Sequence, residues 1–142
     1  MEYVKNFTVE HVPDKIIKLL DYRNANAMTK HLSLKGSLTG KSSVYFSKRA
    51  FISALQLYTT MGHEFVHVCN YITAASMGLT SADVQTYAYM EMTEYWAYSF
   101  QAEITKSTMN SFDMMLIYSS FANTFGYYNY KTMTWYNTRK KF

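Results

Sequence analysis

Two histidines and a glutamate stand close together in the middle of the chain, at His63, Glu64 and His67. On an α-helix His63 and His67 lie one turn apart, so both imidazoles leave the same face, and Glu64 lies about 100° round from His63. Two neutral imidazoles placed in this way can hold Zn²⁺, while a glutamate that is not a ligand reaches the water on the metal. The spacing therefore predicts a zinc site. The alternative is a pair of buried, hydrogen-bonded helix histidines that needs no metal.

The residues from His63 to His67 match the His-Glu-x-x-His motif of the zincin metallopeptidases at every defined position. A catalytic zinc takes a third ligand from the protein, and the residues after the motif distinguish the branches of this group. A metzincin would have glycine at position 70 and histidine at position 73, but these residues are Asn70 and Thr73. The chain instead resembles the gluzincin-like branch, in which a glutamate on the next, antiparallel helix is the third ligand.

A second motif carries this resemblance further. Glu94-x-x-Ala97-x-x-Phe100 is similar to the Glu-x-x-Ala-x-x-Phe signature of small gluzincin-like peptidases, which include repressor-cleaving peptidases of mobile elements and metallopeptidase toxin domains. The resemblance covers about residues 58–104. It implies that Glu94 is the third zinc ligand, that the small Ala97 lets the two helices approach, and that Phe100 packs beneath the site.

Polar side chains line one face of the helix that would carry the third ligand. They belong to Tyr87, Glu91, Glu94, Tyr98 and Gln101, which fall on the same side at helical spacing. Glu91 is an alternative ligand, or it could hydrogen-bond a ligating imidazole. Tyr98 or Tyr87 could donate to an oxyanion during catalysis. Because the chain contains 14 Tyr, a chance alignment is the alternative.

The expected reaction follows from the ligand set of His63, His67 and Glu94. Zinc held by these residues would carry a water in its fourth position, with a pKa lowered towards about 7. Glu64 would act as the general base and pass the proton to the leaving amine. Hydrolysis of a peptide bond is the natural reaction for this arrangement, so the expected partner is a peptide or protein substrate.

The segment before the zinc motif predicts a peptide-binding strand rather than a nucleotide site. The candidate edge strand for an extended substrate consists of Val44, Tyr45 and Phe46. Just upstream, Gly40-Lys41-Ser42 ends like a phosphate-binding loop, but Lys35 stands where that loop requires its first glycine. We therefore expect no nucleotide.

Two other classes of function are compatible with the sequence. In the first, zinc stabilises a non-catalytic protein-interaction domain or a toxin or effector module, although such a structural site has no need of Glu64. The second is nucleic-acid binding, suggested by rings interleaved with cations near the carboxyl end. These residues are Tyr127, Tyr128, Tyr130, Lys131, Trp135, Tyr136, Arg139, Lys140 and Lys141. A terminal strand pair or a solvated tail explains them at least as well, so we do not expect nucleic-acid binding.

The composition indicates a single globular domain of 142 residues, since 49% of them are hydrophobic and 17% are charged. We expect its core at about residues 43–125 and a tail at 127–142. We see no transmembrane run and no secretory signal, so we expect a cytoplasmic protein as the chain stands, or a secreted one as part of a longer parent. Residues 50–105 contain no Lys or Arg, which favours a divalent cation in this interval.

The single cysteine, Cys69, excludes an internal disulfide. On the helix that carries the motif it lies about 200° round from His67, so it should face the core rather than the metal. We therefore interpret Cys69 as a small buried hydrophobe.

Hydrophobic periodicity and turn residues predict an α+β fold that is mostly α, a minimal zincin-like domain with a small hairpin or sheet before the metal-binding helix. Gly78 should end that helix, and a capping box at residues 80–83 should open the next one, there or a few residues later. The predicted elements are a strand at 3–12, a helix at 13–28, strands at 31–35 and 43–47, and helices at 47–58, 59–76, 80–106 and 111–125.

Overall fold

The structure, a computed structural model, describes residues 8–105. The elements in this part of the chain are α1 (Asp14–Tyr22), β1 (Ala27–Leu34), β2 (Ser37–Phe46), the 3-10 helix Lys48–Phe51, α2 (Ala54–Ser76), α3 (Ser81–Val84) and α4 (Tyr87–Thr105). Helices dominate and a two-stranded sheet precedes the long helix α2, so the predicted α+β, mostly α fold class is confirmed. The helix predicted at 111–125 and the tail at 127–142 lie outside the described residues.

The two strands form an antiparallel hairpin closed by Lys35 and Gly36. Their φ values are +49° and +82°, and a two-residue turn of the common hairpin type needs positive φ at both positions. Ala27 pairs with Phe46 at the open end, so both strands are longer than predicted. The prediction of a hairpin before the motif is confirmed.

Gly40 lies within β2 rather than in the predicted loop. His31 on β1 pairs with Ser42 on β2. Two residues further along, Ser33 pairs with Leu38, so β2 contains extra residues between the two pairs. Gly40 takes a φ of +74° in this bulge, a conformation that suits glycine. The stretch that ends like a phosphate-binding loop is therefore part of a bulged strand.

Helix α1 is shorter than predicted. It ends at Tyr22, and Asn24 takes a left-handed φ of +51°, which turns the chain towards β1. The predicted continuation of the helix to Met28 was wrong, because Ala27 and Met28 pair with β2. Strand pairing between distant residues has overridden the local helical pattern.

The amino-terminal end of the described chain forms no strand. Residues 8–12 are irregular, so the strand predicted at 3–12 is wrong over the part that the structure describes. A strand needs a hydrogen-bonded neighbour, and within the described residues β1 and β2 pair with each other. Pro13 occupies the N-cap position of α1, just before the first helical residue.

One continuous helix, α2, carries the motif. Ser53 caps its amino end by accepting a hydrogen bond of 3.0 Å from the backbone N–H of Gln56. The predicted break before Thr59 was wrong, because Thr59 Oγ1 donates to the carbonyl oxygen of Leu55 at 3.0 Å and the helix runs through this point. Gly78 follows the last turn with a φ of +75°, as predicted.

The predicted capping box is present, and it caps the short helix α3. The backbone N–H of Thr80 donates to Asp83 Oδ2 at 2.7 Å, and the N–H of Asp83 donates to Thr80 Oγ1 at 3.3 Å. The hydrogen bond from the Thr80 backbone N–H, with a second from the Thr80 hydroxyl at 2.8 Å, lowers the pKa of the Asp83 carboxyl. The long helix α4 begins a few residues later, at Tyr87, which is the second of the two predicted starts.

Helix α2 packs against the hairpin and against α4. Gly62 lies against Phe100, so close that an added Cβ would stand 2.6 Å from Phe100 Cε1. Further along α2, the carbonyl oxygen of Asn70 accepts a hydrogen bond of 3.1 Å from Tyr89 Oη, so the two helices are antiparallel. Ala97 of α4 is fully buried. Among the described helices, none is both long and apolar enough to cross a membrane.

Candidate metal centre

The structure brings His63, His67 and Glu94 together where α2 crosses α4. His63 Nε2 lies 3.3 Å from Glu94 Oε2, and His67 Nε2 lies 3.3 Å from Glu94 Oε1. The two Nε2 atoms are also 3.3 Å apart. Within the described residues, these three side chains form a group of potential ligands that could hold a metal ion. The spacing on α2 and the second motif on α4 predicted the same three residues.

The separations within this group fit tetrahedral zinc. Bonds of about 2.0–2.1 Å at tetrahedral angles place ligand atoms about 3.3–3.4 Å apart. The two Nε2 atoms are 3.3 Å apart, and each lies 3.3 Å from a different oxygen of Glu94. An ion pair between an imidazolium and a carboxylate is shorter, at about 2.7–2.9 Å between nitrogen and oxygen. These side chains form a group that could hold a metal ion, and imidazole with carboxylate is a ligand set that zinc accepts.

Electrostatics within the group keep Glu94 ionised. Burial acts to raise the pKa of Glu94, but hydrogen bonds from His63 and His67 and the charges on these rings lower it to about 2. Burial acts to lower the pKa of His67, whereas its hydrogen bond to Glu94 and the charges of Glu94 and Glu64 raise it above the ordinary value of 6.5. A permanently charged carboxylate beside two imidazoles favours a cation between them.

Glu64 lies next to this group but is held by the hairpin. Its residue is 5% exposed, and Thr29 Oγ1 donates a hydrogen bond of 2.7 Å to its Oε2 atom. The charge of Glu64 acts on His67, so the carboxylate stands close to the three candidate ligands without being one of them. The role of Glu64 as a general base stays a prediction.

Thr29 is a site residue that the sequence did not reveal. Residues 27 and 28 before it were assigned to a helix, whereas Thr29 lies in the middle of β1 and pairs with Val44. Its hydroxyl meets a carboxylate 35 positions away in the chain. No local pattern marks such a contact, since it depends on how the hairpin packs against α2.

The polar side chains on one face of α4 do not all belong to the candidate metal centre. Tyr98 lies edge-on against His63, with the ring centroids 4.6 Å apart and the planes at 78°. Glu91 is not a member of the group that could hold a metal, although it lies one turn before Glu94. Tyr87 is 58% exposed and stands at the first residue of α4. The roles predicted for Glu91, Tyr98 and Tyr87 stay predictions.

The candidate substrate strand pairs with the part of β1 that contains Thr29, the hydrogen-bond partner of Glu64. Val44, Tyr45 and Phe46 form the end of β2 and pair with Thr29, Met28 and Ala27 of β1. All three are half-buried. Within the described residues no further strand pairs with this end of β2, so its outer backbone edge has no strand partner there. Its use by a peptide stays a prediction.

Cys69 is exposed, which contradicts its predicted position in the core. His67 faces α4, where it meets Glu94. A residue about 200° round the helix from His67 points away from that contact. Along this stretch of α2 the buried faces are those towards α4 and the hairpin, and Cys69 lies on neither.

Tyr71, Tyr89 and His31 form an aromatic group next to the candidate ligands. The ring centroid of Tyr71 lies 5.0 Å from that of His31 and 6.3 Å from that of Tyr89. None of these three residues was predicted from the sequence as part of the site, although the spacing of Tyr71 from His67 could have indicated it. Tyr71 follows His67 by one helical turn and so continues the line of the two histidines.

The described site thus consists of three candidate metal ligands, a carboxylate beside them and an aromatic group on the next turn of the helix. Comparisons of the chain with protein-family models, with curated proteins and with solved structures found no match. The residues of the site are therefore the evidence for its function.

Proposed function

We propose that this protein is a zinc-dependent metallopeptidase that binds the metal through His63, His67 and Glu94. The observation that carries the proposal is that the Nε2 atoms of His63 and His67 lie 3.3 Å from each other and each 3.3 Å from a different oxygen of Glu94, next to the buried carboxylate of Glu64. The resemblance of the two motifs to gluzincin-like peptidases supports the same assignment. On this basis the chain is a minimal zincin-like domain.

Zinc in this site would supply a Lewis acid and would make a bound water acidic enough to lose a proton near neutral pH. Imidazole and carboxylate ligands suit zinc, and three protein ligands leave one position open. That open position is what separates a hydrolytic site from a closed structural one.

Glu64 moves the proton in this proposal. One of its oxygens, Oε2, accepts the hydrogen bond from Thr29, which leaves Oε1 to accept a proton from the attacking water. As the water oxygen bonds to the carbonyl carbon, Glu64 holds that proton, and it then transfers the proton to the nitrogen of the breaking C–N bond. The products are a carboxylic acid and an amine, so the reaction is hydrolysis of a peptide bond.

Glu64 also distinguishes the proposal from a non-catalytic zinc domain. Burial of a carboxylate is costly unless hydrogen bonds compensate. A site that only stabilised the fold would gain nothing from a buried charge beside its metal. Within residues 8–105, the hydrogen bond from Thr29 holds one oxygen of Glu64 and leaves the other available for chemistry.

The first test measures metal content and turnover separately. Elemental analysis of the purified 142-residue chain should find about one zinc per molecule, and His63→Ala should abolish it while Glu94→Ala weakens it. Glu103→Ala, on the exposed side of α4, is the matched control and should retain zinc. Glu64→Gln should keep zinc and lose hydrolysis of a peptide library.

Two outcomes would contradict the proposal in different ways. A wild-type chain that binds no zinc at neutral pH would remove the metal centre itself. A chain that binds zinc but cleaves no peptide would leave the metal site in place and point to the zinc-stabilised interaction domain. Equal cleavage by Glu64→Gln would overturn only the assignment of Glu64 as general base.

A further inference from the structure

Tyr71 continues the line of ligands along α2. It follows His67 by four residues and His63 by eight, so the three side chains leave nearly the same face of the helix. Four residues correspond to a rise of about 6 Å, which is the length of a small part of a peptide. A substrate lying across His63 and His67 would therefore extend towards Tyr71.

The ring of Tyr71 is held from two sides. It stacks on Tyr89 of α4, with an angle of 22° between the planes, and packs against His31 of β1 at 51°. Tyr89 is fixed in turn by the hydrogen bond from its hydroxyl to the carbonyl oxygen of Asn70. Both neighbours come from elements that pack against α2, so Tyr71 is positioned by the same packing that forms the metal centre.

His31 is anchored as well. Its Nε2 atom lies 2.8 Å from Ser81 Oγ, which also accepts a hydrogen bond of 3.0 Å from Gln85 Nε2. Because the Gln85 side-chain nitrogen donates to Ser81 Oγ, the Ser81 hydroxyl keeps a hydrogen that it can donate to His31. Burial and the charge of Lys30 lower the pKa of His31, in keeping with a neutral ring that accepts this bond.

The hydroxyl of Tyr71 is protonated and available. Within the described residues it has no hydrogen-bond partner, although the residue is half-buried. Burial raises the pKa of Tyr71, and the charges of Glu94 and Glu64 raise it further. The charges of Glu94 and Glu64 therefore both act on the phenol of Tyr71. At neutral pH the phenol is protonated and can donate a hydrogen bond.

We propose that Tyr71 is a catalytic residue that donates a hydrogen bond to the carbonyl oxygen of the substrate as that oxygen becomes negative. The proposal rests on the peptidase function proposed above. When the water oxygen bonds to the carbonyl carbon, the π electrons of C=O move onto the oxygen, and the Tyr71 O–H stabilises that charge without losing its proton. The C=O bond then re-forms and the C–N bond breaks as Glu64 passes the water proton to the nitrogen. Tyr89 and His31 are positioning residues for Tyr71.

The test uses an anion in place of the unidentified substrate. The full chain is loaded with Co²⁺, whose visible absorption reports on its ligands, and is titrated with inorganic phosphate as a tetrahedral oxyanion. Tyr71→Phe should bind Co²⁺ to the same stoichiometry, while its phosphate affinity falls about tenfold or more, since a hydrogen bond to a charged oxygen is lost. Tyr58→Phe, an exposed tyrosine on the same helix, is the matched control and should bind phosphate as the wild type does.

Turnover provides the second measurement, using whichever library peptide the wild type cleaves. Tyr71→Phe should lower kcat by about 10²–10³-fold with little change in KM, the loss expected for one oxyanion donor. Tyr89→Leu keeps the hydroxyl of Tyr71 but removes the ring that stacks on Tyr71. It should therefore weaken phosphate binding by a smaller factor than Tyr71→Phe does. If Tyr71→Phe fails to fold or to bind Co²⁺, unchanged phosphate affinity in Tyr89→Leu would overturn the proposal.

The outcomes separate this inference from the proposed function. Equal phosphate affinity in wild type and Tyr71→Phe, at equal Co²⁺ content, would overturn the role of Tyr71 and leave the metal site standing. A wild-type chain that takes up no Co²⁺ would overturn the metallopeptidase proposal, and the role of Tyr71 with it.

Discussion

Thr29 Oγ1 donates a hydrogen bond of 2.7 Å to Glu64 Oε2, joining the hairpin to the helix that carries the histidines. The same hydroxyl lies 3.4 Å from the carbonyl oxygen of Glu64. Glu64 is 5% exposed, so few water molecules can replace this donor. The hairpin therefore does more than cover α2, since it fixes the carboxylate on which the proposed reaction depends.

Removing this hydroxyl should affect both stability and turnover. Thr29→Val keeps the shape of the side chain but leaves a buried carboxylate oxygen without a donor, which should cost about 1–3 kcal/mol in the free energy of unfolding. Urea unfolding would measure this loss. Peptide turnover should fall while zinc content stays the same, because Glu64 is not among the candidate ligands. Thr29→Ser should restore most of both properties.

The matched control for Thr29 is Thr73→Val. Thr73 is exposed on α2, where its hydroxyl donates to the carbonyl oxygen of Cys69 at 2.9 Å. This change should leave turnover unaltered and alter stability by less than about 0.5 kcal/mol. Equal behaviour of the Thr29 and Thr73 variants would show that the hydrogen bond to Glu64 has no special role.

The contact between Gly62 and Phe100 predicts a coupled effect of two substitutions. Gly62→Ala should gain about 1 kcal/mol from helix propensity, but its Cβ would stand 2.6 Å from Phe100 Cε1. Phe100 is 44% exposed and its ring can turn, so the two effects should nearly cancel in the wild-type background. In a Phe100→Ala background the collision with the ring is absent and only the 3.2 Å approach to Ile104 Cδ1 remains, so Gly62→Ala should stabilise the protein by up to about 1 kcal/mol.

A double-mutant cycle measured by urea unfolding tests this coupling. The two changes should be non-additive, as expected for residues in direct contact. If Gly62→Ala has the same effect in both backgrounds, then Phe100 does not limit the approach of α4 to α2 at this position. A variant of this cycle should change zinc affinity only if it displaces α4, because Glu94 lies on that helix.

Metal affinity should depend on pH through His67. A metal binds the neutral imidazole, and the pKa of His67 is raised above 6.5 by its hydrogen bond to Glu94 and by the charges of Glu94 and Glu64, against the effect of burial. Affinity should therefore increase as pH rises through 6.5 and level off only above the raised pKa of His67. Glu94, with a pKa of about 2, stays ionised throughout and contributes no slope.

Competition titrations with a zinc chelator, from about pH 5.5 to about pH 8.5, would give this profile. Glu94→Gln removes the charge that raises the pKa of His67, so the levelling-off point should move to lower pH while the affinity itself becomes weaker. An unchanged profile in Glu94→Gln would mean that Glu94 does not control the protonation of His67.

The sequence alone determined the features that depend on near neighbours. His63 and His67 share a face because four residues make about one helical turn. Gly78 ends α2 because glycine readily takes the left-handed conformation after the last turn of a helix. The capping box of Thr80 and Asp83 follows from the same short-range chemistry.

The tertiary structure decided which side chains meet. Glu91 and Glu94 were both available on α4, and the crossing of the helices brings Glu94 to the imidazoles. Helix α1 ends earlier than its local pattern predicted, and Cys69 is exposed where its position on the helix predicted burial. The position of Thr29 in a strand was not predicted by any local pattern. A turn of helix is set by hydrogen bonds between residues four apart, whereas these contacts are set by the packing of segments far apart in the chain, which local spacing does not encode.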